Sequence, residues 1–74
     1  MNSTTLAIIA RLPKKPIIAP ADIAAAYGLA GTTAIIADIK TGKLAANSIN
    51  GRYIIARAAA EAYIKSNEFI PDEA

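Results

Sequence analysis

The chain has 74 residues and carries eight basic against six acidic residues, a net charge of +2, with no cysteine and no histidine. It therefore lacks a disulfide, the usual metal ligands and the ordinary proton-transfer set, so a module that is not an enzyme and holds no cofactor or metal is expected. Hydrophobic residues make up 54% of the chain but aromatics only 5%, which predicts one small domain with a thin core of Ile, Leu and Ala, near the lower size limit for unaided folding.

In chain order, "TTLAIIARL" (4–12) reads as one or two helical turns or as a strand, and Pro13 ends it. "PIIAP" is bracketed by prolines that exclude an interior strand, so Ile17 and Ile18 are expected to form a brief edge strand entering the core. Pro20 suits the first turn of a helix, and Asp22 places a carboxylate near the positive end of its dipole. That helix runs through "ADIAAAY" to Gly28.

A second helix begins at Thr32 or Thr33, carries Ile35, Ile36 and Ile39 on one side, and closes at Gly42. Leu44–Ile49 and Arg52–Ile55 are joined by Asn50-Gly51, the strongest short hairpin signal, because both central residues of a type I′ turn need positive φ. The implied register sets Ile49 opposite Arg52 and Asn47 opposite Ile54. Leu44, Ala46, Tyr53 and Ile55 then share a core face, with Asn47 and Arg52 on the other. The closing helix, "RAAAEAYIKS", is expected to turn Ala59, Ala62 and Tyr63 inward and to form Arg57–Glu61 and Glu61–Lys65 pairs.

Charge is distributed unevenly. Up to residue 57, seven bases face two acids, a net +5, whereas from residue 58 onward four acids face Lys65, a net −3. A basic excess of this kind points to an anionic partner. The longest uncharged run, between Asp22 and Asp38, is interrupted by glycines and falls short of the ~20 residues of a spanning helix. The first charges follow the apolar stretch, the wrong order for a secretory signal, so a cytoplasmic, nucleoid-associated location is expected.

"IAPADIAAAYGL" and "DIKTGKLAANSINGRYIIARAAAEAYI" together resemble the excisionase and MerR-like winged helix-turn-helix family of small phage and mobile-element DNA-binding proteins. The resemblance rests on the spacing of Gly42, Leu44 and Ala46, then Gly51-Arg52-Tyr53, Arg57 and Ala62-Tyr63-Ile64. It implies an α+β fold: two short helices, a two-stranded β-hairpin wing and a C-terminal helix over residues 17–67. An N-terminal extension (1–16) and an acidic tail (68–74) lie outside it.

The resemblance further implies double-stranded DNA as partner, self-association on DNA, and an integrase or recombinase as protein partner, with no membrane and no small-molecule substrate. The candidate DNA-binding residues are Thr32, Thr33, Lys40, Lys43, Asn47, Asn50, Arg52 and Arg57. The turn before the second helix is one residue longer than the family's usual form. Ile36 and Ala37 stand where relatives carry arginine or tyrosine, so backbone contacts and DNA shape are expected to contribute much of the binding.

Several residues keep two readings. Thr32 and Thr33 are helix caps or base readers, and a cap can also hold a phosphate on the helix N-terminus. Asp38 is a solvated carboxylate or an acceptor for a cytosine amino group. Tyr53 is core or stacking platform, and Arg11, Lys14 and Lys15 are a basic arm or merely solubilising. Three roles follow: an excisionase-like directionality factor that bends DNA, a small transcriptional regulator, or a packaging subunit of the small-terminase kind.

Overall fold

Asn2 starts the first helix. Its side-chain Oδ1 accepts the Thr5 N–H at 2.8 Å, so α1 runs over Ser3–Ala10, a helix rather than the strand that the same residues also allow. The computed structural model describes residues 2–68; Phe69, Ile70 and the acidic residues Asp72 and Glu73 of the expected tail lie outside the described residues. The other elements are β1 (Ile17–Ile18), α2 (Pro20–Tyr27), α3 (Thr33–Lys40), β2 (Asn47–Ile49), β3 (Arg52–Ala56) and α4 (Arg57–Ser66). The described residues thus form a small α+β domain of four helices and a three-stranded antiparallel sheet.

Local chemistry accounts for most boundaries. Pro20 opens α2, and the Asp22 carboxylate reaches back to accept the Ala19 N–H at 2.9 Å; Ala19 has no side chain with which to return the bond. Both helices of the central pair end in the same double closure. Leu29 N–H donates to Ala24 O and Gly28 N–H to Ala25 O after α2; Lys43 N–H donates to Asp38 O and Gly42 N–H to Ile39 O after α3. This is the Schellman arrangement, and Gly42 takes the φ of 86° that it requires.

The hairpin has the expected register, with Ile49 opposite Arg52, Ser48 opposite Tyr53 and Asn47 opposite Ile54. Asn50 and Gly51 have φ of 51° and 75°, the pair of positive values that a type I′ turn demands. A third strand lies beside the hairpin, however. β1 pairs with β3, Ile17 opposite Ala56 and Ile18 opposite Ile55, so the sheet order is β1-β3-β2 and β3 is central. The expected two-stranded β-hairpin is corrected to a sheet of three strands: two isoleucines between prolines suffice for the expected edge strand because only one of their sides must find partners.

The core gathers Leu12, Ile18, Ile23, Ile35, Leu44, Ile55, Ala60, Tyr63 and Ile64, all buried, with Ala24 and Ala26. Each fully buried isoleucine contributes about 1.5–3 kcal/mol by transfer from water, so the thin core depends on a few residues. Leu12 belongs to it, Ile8 and Ile9 pack against it, and α1 lies on α4 and α2. Residues 3–12 are therefore part of the domain, not an extension beside it.

The buried positions of α4 are Ala60, Tyr63 and Ile64; Ala59 is half-buried and Ala62 is exposed. This corrects the expected face. α4 follows β3 without a loop, Ala56 serving as its N-cap, and the strand's direction sets the helix rotation. Among the described residues no helix is long and apolar enough to cross a membrane.

Candidate nucleic-acid interface

The helix pair and the hairpin tip enclose an open groove of about 450 Å³, bordered by the start of α2, by Thr32 and Ile36, and by Arg52 and Tyr53 of β3. Lys15 lines the same groove. Two prolines, Pro13 and Pro16, restrict the "PKKP" segment, and β1 begins directly after it. Lys15 thus borders the same groove as the hairpin tip, where the sequence alone allows a basic arm or a merely solubilising charge. The proline bracket was the available signal.

Arg52 is exposed at the first position of β3, on the outer face of the sheet. Thr32 sits at the N-cap of α3 but its hydroxyl makes no capping bond, while Thr33 opens the helix and is exposed. The remaining exposed positions of α3 are Ala34, Ala37 and Lys40, so this helix presents a low surface with polar groups only near its ends. Lys43 is exposed just past Gly42.

The other candidates are dispersed. Asn47 is exposed on β2 and borders a shallow depression with Ile17, Ile54 and Ala56 on the outer sheet face. Asn50 is exposed in the turn. Arg57 is committed to the fold: its Nε donates to Pro13 O at 3.0 Å, its Nη2 to Ile9 O at 3.4 Å, and its Nη1 pairs with Glu61. Its own N–H donates to Pro16 O at 2.9 Å. A guanidinium bound to two carbonyls and a carboxylate has few donors left for a ligand. The expected Arg57–Glu61 pair forms, and because Glu61 turns to Arg57 no Glu61–Lys65 pair accompanies it.

Asp38 also serves the interior. Its carboxylate accepts the Tyr63 hydroxyl at 2.5 Å, and its backbone oxygen accepts N–H groups from Lys43 and Leu44. Burial of the ring, reinforced by the hydrogen bond to Asp38 and by its negative charge, pushes the Tyr63 hydroxyl up to about 12. This carboxylate neither stands alone in solvent nor faces outward as a free acceptor. At the groove, Asp22 in the first turn of α2 is a local acid among the lining residues, so an approaching anion meets the tip, Lys15 and the start of α3 more favourably than the start of α2.

Sequence reasoning missed the apolar character of the outer sheet face. Ile17 is 51% exposed and Ile49 56% exposed, with half-buried Ile54 between their strands. Strict alternation along β3, combined with β1 pairing, would have placed all three together. Compared with family models, curated proteins and solved structures, the chain matches none. Its functional reading therefore rests on its own residues and geometry.

Proposed function

We propose that this chain is a double-stranded DNA-binding protein of winged helix-turn-helix type, with α2 and α3 as the helix pair and the β2–β3 hairpin as the wing. The observation that carries this reading is the meeting of Lys15, Thr32 and Arg52 at one groove between helix pair and hairpin tip. Two cations and a helix start at such a junction suit a phosphate backbone followed from one groove of DNA to the next. Thr33, Lys40 and Lys43 extend the contact along α3, and Asn50 adds a polar group at the tip. The small side chains of α3 permit close approach while offering little base readout, so shape and backbone contacts dominate.

Among the roles that resemblance implies, an excisionase-like factor that bends DNA for a recombinase comes first. The apolar outer face of the sheet favours the second reading, an assembly subunit of the packaging kind for which DNA binding serves protein contacts, because exposed apolar patches mark such contacts. Titration of a labelled duplex at rising salt tests the first reading. With about four to six phosphate contacts, affinity falls steeply between low and moderate salt. Affinity that stays flat over that range excludes a nucleic-acid role. A ladder of cooperative complexes with bending of the duplex supports the excision role, and assembly of the free protein without DNA supports the packaging role.

A further inference from the structure

The hairpin tip carries a reactive pair that its role as a turn leaves unused. Asn50 and Gly51 are both exposed, the Asn50 side chain makes no hydrogen bond with another described residue, and, Gly51 and its two chain neighbours aside, no heavy atom lies within 4 Å of where a Cβ on Gly51 would be. The N–H of Gly51 donates to no group among the described residues, since the hairpin register pairs Ile49 with Arg52 around it. An unencumbered backbone nitrogen therefore adjoins a free carboxamide, in a turn that closes a strand of three residues, all exposed.

We propose that Asn50 is a site of spontaneous deamidation through a succinimide, a built-in modification that places a negative charge beside Arg52. Solvent base removes the proton of the Gly51 backbone nitrogen, and that nitrogen attacks Cγ of Asn50. The new C–N bond closes a five-membered imide as the Cγ–Nδ2 bond breaks, and Nδ2 leaves as ammonia after taking a proton from water. Water then adds to one of the two imide carbonyls and opens the ring to aspartate or isoaspartate. The net change is amide plus water to carboxylic acid plus ammonia, with no oxidant or reductant.

The other three asparagines provide internal comparison. Asn2 is held by the Thr5 N–H, Asn67 donates to the Tyr27 hydroxyl at 3.3 Å, and Asn47 sits in the β2 ladder opposite Ile54. Each is followed by a residue with a side chain, respectively Ser3, Glu68 and Ser48, which crowds the attacking nitrogen. Glycine removes that obstruction and lets the backbone rotate toward the attack geometry.

The consequence at the tip has two parts. Aspartate adds a carboxylate next to the guanidinium that faces the anionic partner, and isoaspartate also lengthens the backbone and disturbs the type I′ turn. The effect on DNA rests on the function proposed above; the chemistry of the turn does not.

The test uses the intact chain, held at mildly alkaline pH and physiological temperature, with peptide mapping by mass spectrometry and enzymatic methyl labelling of isoaspartate over time. Conversion is expected at Asn50, with Asn2, Asn47 and Asn67 about tenfold slower, a barrier difference of about 1.4 kcal/mol. Asn50 persisting as long as the other three, or Asn47 converting equally fast, overturns the proposal. Charge separation then isolates the modified fraction for duplex binding beside Arg52→Ala. Weaker binding by both supports the consequence at the tip, and a modified fraction that binds like the parent while Arg52→Ala is weakened overturns it. If Arg52→Ala binds like the parent, the DNA reading of the tip fails, and the peptide map alone decides the chemistry.

Discussion

The hydroxyl of Tyr63 donates to the carboxylate of Asp38 across 2.5 Å, joining α4 to α3 between residues 25 positions apart. Tyr63 also meets the Tyr27 ring edge-on, with centroids 6.3 Å apart, so one side chain ties α4 to both members of the helix pair. Replacing Tyr63 by Phe keeps the ring and removes the bond, with an expected cost of about 1–3 kcal/mol because the acceptor is charged. Chemical denaturation of parent and variant measures it. The hydroxyl ionises near its ordinary value of 10.0 when unfolded and at about 12 when folded. Its contribution is fully present below pH 10 and is lost as pH rises toward 12. The Phe variant should lack that component of the alkaline decline; an identical decline in both proteins refutes the assignment.

Arg52 and Arg57 should separate function from stability. Arg52→Ala leaves the melting temperature nearly unchanged but weakens duplex binding by about 1–3 kcal/mol, and it flattens the salt slope by about one unit if the contact is to phosphate. A variant that melts early yet binds like the parent would show that Arg52 supports the fold.

For Arg57→Ala the expectation is reversed. Losing bonds to Pro13 O and Ile9 O together with the pair to Glu61 should cost about 1–3 kcal/mol in stability. Lys should not restore it, because an ammonium cannot span the two carbonyls and the carboxylate as the guanidinium fork does. Duplex affinity of the folded fraction should stay at the parent level. Loss of affinity without loss of stability would return Arg57 to the interface.

Glu68 predicts acid behaviour. The Thr5 hydroxyl and then the Asn2 N–H, which donates at 2.7 Å, hold its carboxyl below the usual carboxylate range. The stabilisation is present above the ordinary glutamate value and is lost as pH falls through the lowered folded value. Melting curves of parent and Glu68→Gln across mildly to strongly acidic pH should differ least at the acid end. A constant difference at every pH would show that the charge is immaterial.

Much of the candidate interface was legible because its determinants are local. Asn50-Gly51 forces a turn with two positive φ values, which sets the register and places Arg52 at the tip. Gly28 and Gly42 end their helices where left-handed closure is required, and Pro20 with Asp22 starts one. These choices involve residues within one turn of one another, so propensity and pattern suffice.

Long-range partners settled the rest. Nothing near Arg57 announces that Ile9 and Pro13 will present carbonyls to it, and nothing near Asp38 announces Tyr63. Whether the first twelve residues stand apart or close the core depends on Leu12 finding space among residues far along the chain, a question that local pattern does not pose. The same holds for the outer sheet face: Ile17, Ile49 and Ile54 come together only when β1 pairs with β3. The helix ends, the turn and the hairpin register could be read directly from the residues, because each is settled by groups only a few positions apart. Tertiary structure alone decided which charges are free for a partner, since a cation's availability depends on the acceptors that distant segments bring to it.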